Sequence, residues 1–149
     1  MKLYSHGETS DLREHLAEVM TAAETPEERV LCACHDLGKA TAAWQKYILG
    51  VRAESPHRHA AAGGIFAALL LLELNGPDAP EWALAALHAG AAHHTYLQEL
   101  GSDFLGDLSL IAADPQVREF VLDREYGVAS LLPEVPESAL VAAWESFAC

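Results

Sequence analysis

An all-α fold is the class this sequence predicts, and three observations carry the expectation. Ala and Leu dominate the 149 residues, β-branched residues are sparse, and no stretch alternates apolar with polar residues for long enough to make a strand. With 51% of its residues hydrophobic, the chain suits one compact domain over residues 1–149. A domain of this size buries about 68–70% of its unfolded surface.

The elements follow in order. A first helix is expected from Ser10, whose hydroxyl can cap SDLREHLAEVMTAAE, with Leu12, Leu16, Val19 and Ala23 recurring at helical spacing and His15 beside that stripe. Thr25, Pro26, Glu27 and Glu28 then combine a capping Thr, a Pro at the first helical position and a Glu three residues after the cap. They launch VLCACHD, which Gly38 is expected to stop, with His35 and Asp36 in the last turn. A third helix over 41–49 ends at Gly50, and the loop VRAESP leads to a long apolar helix over 57–74 closed by Asn75, Gly76 and Pro77. Pro80 opens EWALAALHAGAAHH, whose end carries His93 and His94. From Gly101 onward the pattern shortens into pieces separated by Asp114-Pro115, Gly127 and PEVPE. The last segment, ESALVAAWESFAC, is amphipathic and aligns Trp144 with Phe147 on a core-facing side.

Composition narrows the function classes. Cys32, Cys34 and Cys149 are too few and too poorly spaced for a disulfide framework, and no basic, apolar leader opens the chain, so a reducing, cytoplasmic setting is expected. The most apolar run, IFAALLLLEL, falls short of the ~20 residues a membrane span requires and reads as a buried helix. A formal charge of −13 argues against a free-standing module that grips nucleic acid through clustered Lys and Arg. Eight histidines stand out instead, because neutral imidazole is the commonest metal ligand.

Their placement carries the chemistry. A titratable pair, His35-Asp36, ends an apolar helix, where ordinary packing gains nothing from desolvating it. Four groups stand on helices in order: His15, then His35-Asp36, then His57-Arg58-His59, then His93-His94. Helical bundles build metal sites in this way, from ligands distant in sequence. The order H…HD…H…HH, with DLREHLAEV, HDLGKATAAWQKYIL, HRHAAAGG and AHHTYL around it, resembles the HD superfamily of metal-dependent phosphohydrolases. Within it, residues 3–97 are similar to the HD-domain nuclease of CRISPR interference, the nuclease half of the type I helicase–nuclease.

The resemblance implies an HD-domain helical bundle and a metal-dependent nuclease that hydrolyses phosphodiesters in single-stranded DNA. It implies one or two divalent transition metal ions: Asp36 bridging, His15 and His35 serving one, and His59, His93 and His94 serving the other. Imidazoles suit Mn, Fe, Co, Ni or Zn better than Mg or Ca. Lys39, just after the His-Asp pair, is expected to act in catalysis by steadying negative charge on a phosphate oxygen. Thr41, Trp44 and Gln45 are expected to hold the next helix in place. The implied partners are single-stranded DNA, a helicase domain or protein, and a crRNA-guided surveillance complex, with no membrane.

The chain departs from the family in one respect. A later Asp that completes the first ion's ligands has no counterpart, and the domain is expected to lack its C-terminal part; Asp103, Asp107 and Asp114 are the available stand-ins. His6, His57 and His88 are expected to be core or surface residues, although His57 competes with His59 for the ligand role. Cys32 and Cys34 point apart on a helix and read as small buried hydrophobes, not as a zinc corner. Two alternatives share the same residues: an HD phosphohydrolase acting on a nucleotide or signalling phosphoester, and an inactive metal-stabilised helical module.

Overall fold

The computed structural model describes residues 2–6, 10–50, 60–76, 80–92 and 103–149, and among these it forms nine α-helices and no strand. They are α1 (Leu12–Met20), α2 (Pro26–Cys34), α3 (Ala42–Ile48), α4 (Ala60–Asn75), α5 (Glu81–Ala92), α6 (Asp103–Ala113), α7 (Pro115–Leu122), α8 (Val128–Leu131) and α9 (Glu137–Ala148). None of the described helices is long and apolar enough to cross a membrane.

The start of α1 differs from expectation. Asp11, not Ser10, is the cap, its Oδ1 accepting from the Glu14 amide at 3.1 Å. Ser10 is engaged elsewhere: its carbonyl accepts from the Ser5 amide at 2.7 Å, while Tyr4 and Asp11 form an isolated antiparallel bridge. The buried stripe is Leu12, Leu16 and Met20, an i, i+4, i+8 row; Val19 is only half-buried and Ala23 lies beyond the helix.

The α2 N-terminus folds as its sequence requires. Thr25 Oγ1 accepts from the Glu28 amide at 3.1 Å, and Glu28 Oε2 reaches back to the Glu24 amide at 2.7 Å, one residue ahead of the usual reciprocal partner. Its C-terminus comes earlier than Gly38. The helix ends at Cys34, His35 is its C-cap, Asp36 sits at φ −108°, ψ 26°, and Leu37–Ala40 tightens into a 3-10 turn that buries Gly38. The physical reason is the His35 ring, whose Nδ1 lies 2.6 Å from the Cys32 carbonyl and satisfies one of the acceptors that a helix end exposes.

At the centre lies α4, apolar all round, packed against α5, α9 and α2. Phe66 meets Trp144 and Phe147 with ring centroids 6.1 and 5.8 Å apart, and Trp144 and Phe147 lie 5.2 Å from one another. Gly63 is the point of closest approach to α2: a Cβ there would fall 2.6 Å from the His35 carbonyl oxygen and closer still to that of Cys34. Only a residue without a side chain lets α4 run this close beneath the turn that carries His35 and Asp36.

Basic side chains fasten the C-terminal region to this frame. Arg13 Nε donates to Ser130 Oγ at 2.7 Å, Arg29 Nη2 to the Leu131 carbonyl at 3.1 Å, and Arg124 Nη2 to the Val135 carbonyl at 3.0 Å. Arg13 and Arg29 thereby tie α1 and α2 to α8, and Arg124 joins the turns on either side of α8.

Candidate metal centre

Three elements deliver the cluster. His15 comes from α1, one position off its buried stripe; His35 comes from the end of α2; Asp36 and Lys39 come from the turn that follows. All three partners converge on one oxygen. His15 Nε2 lies 3.1 Å, His35 Nε2 3.2 Å and Lys39 Nζ 3.2 Å from Asp36 Oδ2. The side chain of Asp36 is 1% exposed, that of Lys39 4%, that of His35 10% and that of His15 23%, so the cluster runs from the interior towards solvent.

The protonation logic of His35 follows from its two contacts. A carbonyl can only accept, so Nδ1 carries the hydrogen that reaches Cys32, and in the neutral ring Nε2 is then a bare lone pair. That lone pair faces a carboxylate oxygen at 3.2 Å. Two acceptors at this distance repel unless a proton or a cation stands between them. Burial lowers the His35 pKa, but its hydrogen bond to Asp36, the Asp36 charge and the Cys32 carbonyl together outweigh burial and hold it above its ordinary value. A proton on Nε2, or a cation in its place, turns this contact into an attraction.

The donor set also fits a metal. One ligand atom each from His15, His35 and Asp36 lies within 4.8 Å of the others, a set of two imidazoles and one carboxylate suited to first-row transition ions or Zn. The Cys32 carbonyl plays the part that a backbone acceptor takes behind a ligating imidazole, fixing its tautomer and orientation. His59, His93 and His94, the remaining expected ligands, lie outside the described residues, as does His57.

Other expected residues take definite places. Gln45 is buried and its amide holds three backbone groups: Oε1 accepts from the Tyr4 amide at 2.8 Å, and Nε2 donates to the carbonyls of Tyr4 at 2.9 Å and Lys39 at 2.7 Å. Thr41 Oγ1 caps α3 through the Trp44 amide at 3.0 Å. Asp114 acts as a cap, with Oδ1 accepting from the Gln116 amide and Oδ2 from the Ala42 amide, both at 2.8 Å, and it is not part of the cluster of His15, His35 and Asp36. The side chains of Asp103 and Asp107 lie outside the described residues. His88 is exposed on α5, as expected.

His6 is exposed, as expected, and stands beside the cluster. Its ring stands edge-on to His15, with centroids 5.0 Å apart and an interplanar angle of 80°. Burial, then the nearby charges of Lys39 and His15, lower its pKa from the ordinary value. The only available signal was position, nine residues ahead of His15, and that spacing has meaning only once the bridge between Tyr4 and Asp11 folds the segment back.

Compared with protein-family models, with curated proteins and with solved structures, the chain matches none.

Proposed function

We propose that the chain is a metal-dependent phosphodiester hydrolase of the HD-domain type, a nuclease acting on single-stranded DNA in CRISPR interference. The observation that carries this reading is the convergence of His15 Nε2 and His35 Nε2 on Asp36 Oδ2, with the His35 ring oriented from behind by the Cys32 carbonyl. The ordered motifs H…HD…H…HH supply the reaction class; the geometry alone supplies a donor set. On this reading His59, His93 and His94 complete the ligands, the protein works in the cytoplasm, and a helicase and a crRNA-guided surveillance complex deliver the strand.

When bound, a divalent ion supplies Lewis-acid polarisation of the phosphodiester and a nearby water of lowered pKa. The chain's own residues prepare that chemistry. Asp36 presents a carboxylate oxygen already stripped of bulk water, the two imidazoles are held at fixed positions around it, and Gln45 secures the Lys39 carbonyl so that the turn cannot drift. The Lys39 ammonium lies 3.2 Å from the same oxygen, and on this reading its charge would act from within to offset negative charge gained by the phosphoryl group.

The charge of −13 favours a second reading, hydrolysis of a nucleotide or signalling phosphoester, because a small anion meets less long-range repulsion than a polyanion. One assay separates the two. Purified protein loaded with Mn, Co or Ni is offered single-stranded DNA and a panel of nucleotides; strand cleavage that EDTA abolishes is the expected result. Hydrolysis of nucleotides alone establishes the second reading, and a protein that retains no metal after dialysis sinks both.

A further inference from the structure

Sequence pattern and tertiary contacts together give His6 a position that ordinary surface residues lack. Before α1, Leu3 and Ser5 are buried and Tyr4 is half-buried, while His6, at the bend that follows the Tyr4 bridge, is exposed. The segment is clamped on two sides. Tyr4 is bonded through both its amide and its carbonyl to Gln45, and Ser5 N donates to the Ser10 carbonyl at 2.7 Å. An exposed ring is thereby set 5.0 Å from the ring of His15, at the end of a cluster whose exposure rises from Asp36 to His15.

The ring is outside the ligand set. Among the described residues only His15, His35 and Asp36 bring their ligand atoms within 4.8 Å of one another. Lys39 is 4% exposed and spent on Asp36, so it meets an arriving anion only from within. An anion approaching a protein of charge −13 gains from a hydrogen-bond donor at the solvent end, and an imidazole offers an N–H whether neutral or charged.

We propose that His6 touches the substrate at the mouth of the cluster, donating a hydrogen bond to a phosphoryl oxygen while taking no part in holding the metal. This rests on the phosphoester-hydrolase reading above.

The test uses the full chain loaded with Zn, inorganic phosphate as the binding probe and bis(p-nitrophenyl) phosphate as the substrate, with His6→Ala and His6→Gln as variants. His6→Ala is expected to keep metal stoichiometry and affinity, to keep its melting temperature, and to weaken phosphate binding and kcat/KM roughly tenfold or more, as loss of a hydrogen bond to a charged group does. His6→Gln, which retains a donor, recovers part of both. Phosphate affinity unchanged in His6→Ala overturns the proposal, and so does metal lost in parallel with phosphate, which makes His6 a ligand. Failure of the wild-type protein to bind phosphate in the loaded state also overturns it. A wild type that binds phosphate through His6 yet cleaves no phosphoester refutes the hydrolase reading and leaves the anion contact standing.

Discussion

At the scale of single residues, Asp36 holds the centre, because its Oδ2 is the shared partner of His15, His35 and Lys39. Removing it has two separable consequences. Asp36→Asn keeps the shape and some hydrogen bonding, so helicity measured by circular dichroism stays near wild type while metal content and cleavage are lost. Both variants leave the buried Lys39 ammonium without its counter-charge, and for Asp36→Ala, which also loses the acceptor oxygen, denaturant unfolding is expected to show a loss of about 3–5 kcal/mol. Wild-type activity in either variant would remove Asp36 from the site. His35 gives a pH signature in protein stripped with EDTA. Its pKa is raised in the fold, so its contribution is fully present below the ordinary value of 6.5 and is lost as pH rises through the raised value. The stability difference between wild type and His35→Gln should therefore shrink with rising pH. With metal added the trend should reverse, since ligation needs deprotonated imidazole. Of these features the His-Asp pair was legible in sequence, because adjacent titratable groups at a helix end have a cost that packing does not explain. His6 was not, since nothing local to it marks its neighbour.

At the scale of elements, the Thr25 cap of α2 was legible, because it acts on an amide three residues away, whereas the start of α1 and the end of α2 were not. The end of α2 departs from the stop expected at Gly38 because the His35 ring closes the helix earlier through Cys32. The start of α1 shifted by one residue because Ser10 is held by Ser5, a pairing no helical pattern contains. Gly63 is the element-level position with the sharpest consequence. Gly63→Ala places a methyl group against the carbonyls of Cys34 and His35, which belong to backbone and cannot swing aside. Such overpacking costs about 1–3 kcal/mol in urea unfolding, and the displaced turn should also weaken metal affinity measured by calorimetry. Unaltered metal affinity would mean that α4 does not set the position of the His-Asp turn.

Across the whole molecule, burial sorts the thiols. Cys34 is fully buried and its pKa is pushed far up by desolvation; Cys32 is partly buried and raised by burial and then by Glu28; Cys149 is exposed. Native protein treated with a thiol reagent at neutral pH should label Cys149 rapidly, Cys32 slowly and Cys34 only on unfolding. Fast labelling of Cys34 would show that the core around α2 opens readily. The all-α class, the approximate helix positions and the apolar centre at α4 were readable from the chain, because periodicity and capping are local properties, whereas His15, His35 and Asp36 became candidate ligands through the resemblance of their order to a known family. Which nitrogens meet at Asp36 Oδ2 and that Gln45 joins Tyr4 to Lys39 depend on segments far apart in sequence, and that His6 stands against His15 depends on the fold-back at the Tyr4–Asp11 bridge. Those contacts exist only after α1, α2 and α4 have buried their apolar faces together, since a collapse driven by non-directional hydrophobic burial leaves the polar partners to be set by the final packing.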